Sequence, residues 1–146
     1  MGYTTRFEGA LKFSPELTAG QLNIVRSICG EDAREHPEWG KVDLYYIDVK
    51  LLDDFSGIEW DDETEKAYNM VGQVDLITRE VRKLVSDFCF TGQFVAQGEE
   101  YDDRWILKIA ENGFAVRVDF PKPGQEVKCP HCDGKFRIDE SLVVVK

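Results

Sequence analysis

Histidine, methionine and proline are scarce in this chain, whose 146 residues hold two His, two Met and five Pro. Any Ser-His-Asp or Cys-His catalytic arrangement would therefore have to use His36 or His131. His36 precedes Pro37 in a polar stretch and reads as a solvated side chain. No Gly-x-Ser-x-Gly, Walker loop, dinucleotide fingerprint or His-Glu-x-x-His occurs, which lowers the odds of an enzyme. Long apolar runs are also missing: none approaches the ~20 residues of a membrane helix. Residues 1–7 carry no apolar signal segment, and Arg6 stands where a myristoylation pattern has Ser or Thr. Positive charge is short, with 18 Lys and Arg against 28 Asp and Glu, a formal charge of −10. That balance argues against non-specific binding to nucleic acid or an anionic membrane. A soluble, acidic, cytoplasmic chain is expected.

What is present is rich enough to fold, with 42 % hydrophobic and 12 % aromatic residues. Residues 3–13 alternate, with Phe7, Leu11 and Phe13 on one side, and predict a half-buried strand in which Gly9 marks a bulge or bend. Thr18 and Gln21 form a capping box, Leu17 and Leu22 a hydrophobic staple, and Gly30 a stop, which predicts a helix over 19–29. Residues 42–52 are apolar on both sides and fit a well-covered strand, and 53–65 read as an acidic loop. A long helix is expected over 65–88 from Val71, Val74, Ile77, Val81 and Phe88, capped by Thr64 or Asp62. Three strands follow, the last two joined through Asn112-Gly113, a strong hairpin signal when both turn residues take positive φ.

The expected fold is α+β, a mostly antiparallel sheet with two helices on one face, in the order β-α-β-α-β-β-β. Its core would hold Phe7, Leu11, Leu22, Val25, Ile47, Val74, Ile77, Val81, Phe94, Leu107 and Val116. Residues 1–120 read as an acidic domain and 121–146 as a C-terminal tail. Residues 119–146 carry five basic and five acidic residues, so the whole excess of negative charge lies before them.

The tail holds Cys129-Pro130-His131-Cys132-Asp133-Gly134-Lys135. Two thiolates two residues apart can bind one Zn²⁺ from a tight turn. The run resembles one knuckle of a zinc ribbon or treble-clef finger, and a structural zinc needs four ligands. Cys29 and Cys89, or His36 with one of them, could complete the site. His131 lies inside the knuckle, where it would strain to bind the same ion. Alternatively, two chains each give Cys129 and Cys132 and form a zinc-bridged homodimer. Two further readings are a knuckle remnant without metal and a redox pair.

Carboxylates cluster at Asp53-Asp54, at Glu59-Asp61-Asp62-Glu63-Glu65 and at Glu99-Glu100-Asp102-Asp103. Spaced carboxylates can imitate nucleic-acid phosphates and speed encounter with a basic partner. They can equally be solvated loops that keep the chain soluble. The spacing does not fit an EF-hand.

The opening Met-Gly-Tyr-Thr-Thr-x-Phe-x-Gly is one of three blocks that resemble a family of small bacterial and phage proteins. The others are Ile58-Glu59-Trp60-Asp61 with Glu65-Lys66-Ala67-Tyr68, and 92–100 with Asp102-Asp103-Arg104. The resemblance spans residues 1 to about 118 and implies a bacterial or phage source, but no activity. The leading expectation is a non-catalytic interaction protein that meets a basic protein surface through Glu59, Asp61, Asp62, Glu99, Glu100, Asp102 and Asp103. One alternative is a zinc-dependent nucleic-acid-binding regulator using Lys128, His131, Lys135 and Arg137. Another is an enzyme using the 99–103 acids with a divalent ion.

Overall fold

The computed structural model describes residues 5–40, 44–64 and 69–120, together with the backbone of Glu126–Lys128 and Lys135–Arg137. Strand β1 (Arg6–Ser14) leads to helix α1 (Ala19–Ile28) and to two short 3₁₀ turns, Ala33–Glu35 and Pro37–Trp39. Then come β2 (Val49–Leu51), β3 (Gly57–Trp60), helix α2 (Met70–Arg82), β4 (Cys89–Gln97), β5 (Arg104–Ile109) and β6 (Ala115–Asp119). The six strands form one antiparallel sheet in the order β2-β3-β1-β4-β5-β6. A separate two-stranded sheet pairs β7 (Glu126–Lys128) with β8 (Lys135–Arg137). The fold is α+β, as the periodicities indicate. Among the described residues, no helix is long and apolar enough to cross a membrane.

Helix α1 forms as its punctuation dictates. The Thr18 hydroxyl accepts from the Gln21 amide, and the Gln21 side chain accepts from the Thr18 amide at 2.9 Å. Leu22, Val25 and Ile28 bury its inner face. Helix α2 is shorter than its pattern suggests and starts from Asn69, not Thr64 or Asp62. Asn69 adopts the left-handed region (φ 54°), and its side chain accepts from the Gly72 amide. The helix stops at Arg82, whose guanidinium donates to the carbonyls of Phe88 (2.8 Å) and Asn112 (2.9 Å). That side chain ties the helix end to the start of β4 and to the β5–β6 turn. Phe88 is fully buried, but beyond the helix.

One apolar cluster lies between the helices and one face of the sheet. It includes Phe7, Leu11, Phe13, Phe90, Phe94 and Leu107 from strands, with Leu22, Val25, Val74, Ile77 and Val81 from helices. The β1–β4 ladder runs unbroken from Arg6↔Gln97 to Ser14↔Cys89, so Gly9 marks no bulge. Gly9 (φ 98°) and Gly92 (φ 102°) instead let the two backbones meet closely, since a Cβ on either would press on the other strand's carbonyl at 2.7 Å.

Three further expectations are corrected. The covered strand expected over 42–52 is not found: among its described residues, 44–52, only Val49–Leu51 forms a strand, at the sheet edge. The stretch before it bonds instead to the segment after α1, through Gly30 N to Ile47 O, Ile47 N to Glu31 O and Ala33 N to Tyr45 O. The supposed acidic loop contains β3, because Ile58 packs into the core against Leu11 of β1. The third correction concerns Val116, which is 41 % exposed while Ala115 is buried. A two-residue Asn112-Gly113 turn would set Val116 opposite Ile109. Only Gly113 takes positive φ, Gly113 N bonds Ala110 O, and Ile109 pairs with Ala115. The loop is one residue longer, and a one-residue slip moves every β6 side chain to the opposite face.

Candidate functional site: the acidic end of the sheet

The strand pairing decides which acids meet. Because β1 runs antiparallel to both β3 and β4, those two strands end at the same edge of the molecule. The start of β5 and the end of β6 join them there. Asp61 and Asp62, which follow β3, therefore share one end of the sheet with Glu99, Glu100, Asp102 and Asp103 of the β4–β5 turn and with Asp119 of β6. Three strand steps separate β3 from β5, roughly 14 Å at about 4.8 Å per step. Asp53 and Asp54 go to the opposite end, in the β2–β3 turn. Glu59 lies within β3, opposite Lys50, set back from the rest. Glu65 lies outside the described residues.

The β4–β5 turn is held by its own backbone. Gly98 N donates to Asp103 O (2.8 Å), Asp103 N to Glu100 O and Arg104 N to Asp102 O. The Gln97 amide donates to the carbonyls of Gly98 and Glu100, each at 3.0 Å. These bonds turn the carboxylates outward around an open cleft of about 480 Å³. Glu100, Asp102, Asp103 and Asp119 line it with Arg104, Arg117 and Phe120. Arg117 bonds Asp119 at 2.9 Å, reaches Asp103 at 3.9 Å and lies 4.5 Å over the Trp105 ring. Arg104 lies 5.4 Å over Phe120. The cleft is thus acidic with two built-in arginines on aromatic supports, and a surplus of carboxylate remains. The sequence reading missed Arg104, Arg117, Asp119 and Phe120. For Arg117 and Asp119 the signal is the phase of β6, which is legible only with the correct turn length.

Asp61 has a second role. Its amide donates to Asp48 O at 2.8 Å and its carboxylate accepts from the Glu63 amide. Beneath it, Asp48 is 4 % exposed. Burial is the main reason its carboxyl is pushed up from 3.8 to about 6; the Gln73 and Thr64 side chains oppose the shift, and the Asp61 charge adds to it. Gln73 is fully buried on α2; its amide nitrogen donates to the Asp48 carboxylate (3.1 Å) and its oxygen accepts from the Asp48 amide (2.7 Å). Neither residue stood out in the sequence, since a buried polar pair has no periodic signature.

The zinc candidates divide. Cys129, Cys132 and His131 lie outside the described residues. Cys29 packs against the core, and burial, with the nearby Asp61 charge, pushes its thiol up to about 12, which disfavours the thiolate that a metal needs. Cys89 pairs with Ser14 at the far end of β4, so Cys29 and Cys89 stand at opposite ends of the sheet. His36 stacks on Trp39 at 4.1 Å, with Nδ1 2.9 Å from Glu38 and Nε2 3.1 Å from Glu31. Both ring nitrogens face carboxylates, and the Glu38 and Glu31 hydrogen bonds raise its pKa. Among the described residues, no group of three His, Cys, Asp or Glu side chains is placed to hold a metal. Comparison with protein-family models, curated proteins and solved structures finds no match for this chain.

Proposed function

We propose that this chain is a non-catalytic interaction protein of the phage or prophage accessory type. In this reading its acidic sheet end docks on the basic surface of a protein that handles nucleic acid. The observation that supports it is the strand register, which gathers two acid clusters about forty residues apart in sequence onto one end, around a cleft. Carboxylates fixed by a rigid turn present a phosphate-like array without the entropy cost of ordering a loop on binding. Their summed field also raises the rate of encounter with a cationic partner.

Binding of a fluorescent dodeca-arginine peptide at roughly 50 mM salt tests this. The quadruple variant Asp62→Asn, Glu99→Gln, Glu100→Gln, Asp102→Asn is expected to weaken binding about tenfold and to flatten its salt dependence. The variant Glu16→Gln, Asp53→Asn, Asp87→Asn, Glu111→Gln removes the same charge from exposed residues at the opposite end. It should change affinity less than about twofold. Equal losses in both variants would show that only net charge matters and would sink the proposal.

The backbone of the tail favours a second reading. Lys128 pairs with Lys135, so the strands that flank the knuckle cysteines in sequence are hydrogen-bonded to each other. With Cys29 and Cys89 at opposite ends of the sheet and both His36 ring nitrogens facing carboxylates, the reading that fits is a zinc shared by two chains through Cys129 and Cys132. Such a metal would fix the turn and cross-link the two tails. Native mass spectrometry should then find one zinc per two chains and a monomer after chelation. One zinc per single chain, or a dimer that survives chelation, would exclude it.

A further inference from the structure

The sheet has two edges, and they differ. At one, β2 offers only Val49–Leu51. At the other, β6 runs from Ala115 to Asp119 with all but Ala115 exposed. The ladder fixes which backbone groups of β6 face outward. Ala110 N donates to Phe114 O (2.8 Å) and Phe120 N to Arg104 O (3.4 Å). Bonded and unbonded pairs alternate along an antiparallel ladder, so Val116 and Val118 turn their amides and carbonyls toward β5. Ala115, Arg117 and Asp119 turn theirs away from it. The Ala115 amide donates to the Asp75 carboxylate at 2.7 Å. The amides and carbonyls of Arg117 and Asp119 have no protein partner among the described residues. Proline, lysine and bulges commonly blunt such an edge, and β6 carries none of them within 115–119. Its side chains divide between two faces. Val116 and Val118 stand on the face without helices, where Val118 is opposite Ile106. Arg117 and Asp119 stand on the other and pair with each other at 2.9 Å.

We propose that β6 takes up an extended segment of the basic partner as a seventh strand, antiparallel like every pair in the sheet. The segment places basic side chains on the Arg117–Asp119 face, between Asp75 and Asp119, and apolar ones beside Val116 and Val118. This rests on the reading of the acidic sheet end as the surface that meets a basic protein, and it names the form in which that protein arrives. Main-chain hydrogen bonds supply affinity in such an addition, and the alternating side chains supply selectivity. Charge complementarity separates this occupant from a second copy of the chain. Two β6 strands paired about Arg117 would set Arg117 against Arg117 and each Asp119 beside Asp75 of the other copy. Both are like-charge contacts, between chains of −10 each. A basic segment meets opposite charge at both ends of the edge. In the antiparallel register, the residues that share a face with Arg117 are also those whose amides face β6.

A blocked heptapeptide of alternating lysine and valine, titrated into the wild-type protein at roughly 50 mM salt, tests it. N-methylation of its lysine backbone amides removes the donors that face β6 and should weaken binding by about tenfold or more. N-methylation of its valine amides alters only the outer edge of the added strand and should change binding less than about threefold. Charge is the same in all three peptides. With the unmodified peptide bound, hydrogen exchange at the Arg117 and Asp119 amides should slow about tenfold. Equal affinity for the three peptides would overturn the proposal; if the quadruple acidic-end variant still weakened all three, the docking surface itself would stand. Absence of binding by every peptide would overturn it too, and dodeca-arginine binding then reports on the docking surface alone. Protection of those two amides that arises without peptide and grows with protein concentration would assign the edge to a second copy.

Discussion

Gln73→Leu should lower the free energy of unfolding by roughly 3 kcal/mol, although leucine is the more hydrophobic residue and close in size. Gln73 is a two-ended clamp: its oxygen takes the Asp48 amide proton and its nitrogen donates to the Asp48 carboxylate. Leucine leaves a buried N–H and a buried carboxylate without those partners. The loss of both exceeds the gain in apolar transfer, because an unmade buried hydrogen bond costs more than a made one contributes. Urea unfolding with an unchanged m-value measures the change, and the thermal midpoint should fall by about 10 °C for a chain of this length. A shift below about 1 kcal/mol would mean that other groups satisfy Asp48. Gln73→Glu sharpens the test. It keeps the shape but sets a second carboxyl beside Asp48, so it should be poorly tolerated at pH 8 and recover as pH falls and the pair takes up a proton.

The second large effect is a pH dependence carried by Asp48. Its carboxyl is raised from 3.8 to about 6 in the fold, so the folded state holds the proton more tightly than the unfolded chain. The stability this contributes is complete below about pH 4 and is lost as pH rises through about 6. A shift of that size corresponds to on the order of 3 kcal/mol by pH 8. Asp48→Asn cannot titrate. Relative to the wild type it should gain stability between pH 4 and pH 8 by that amount, and unfolding curves at half-unit pH intervals will show it. His36 and Asp75 are also raised, by their carboxylate partners and by burial respectively, and act in the same direction. Asp32, Glu38 and Asp54 are lowered by Arg34, His36 and Ser56, and act in the opposite one. All of these are common to both proteins, so the difference curve isolates Asp48. A flat difference would show that the buried carboxyl keeps an ordinary affinity for its proton.

These two predictions concern residues that no motif marks, whereas the acidic cluster was visible at once. The difference lies in the range of the signal. Glu99, Glu100, Asp102 and Asp103 are neighbours in sequence and needed no fold to be seen together. Asp119 and Arg117 join them only through the β5–β6 register, and Asp61 and Asp62 only through β1. Gln73 meets Asp48 across 25 residues, on a helix face where glutamine reads as a flaw in the apolar stripe. The cysteine knuckle is legible as a motif, and the described hairpin brackets it.

The sequence by itself determined the α+β class, helix α1 with both halves of its capping box, the alternation of β1, β4 and β5, and all but one member of the anticipated core. These are local matters: side-chain spacing of two or 3.6 and hydrogen bonds within three residues suffice. Only the tertiary structure decided that β3 runs through an acid-rich segment, that β2 is an edge strand and that Val116 faces outward. It also decided which carboxylates share one end of the sheet. Those outcomes follow from strand neighbours and register, which are set by burial between segments distant in sequence, and a slip of one residue reverses them.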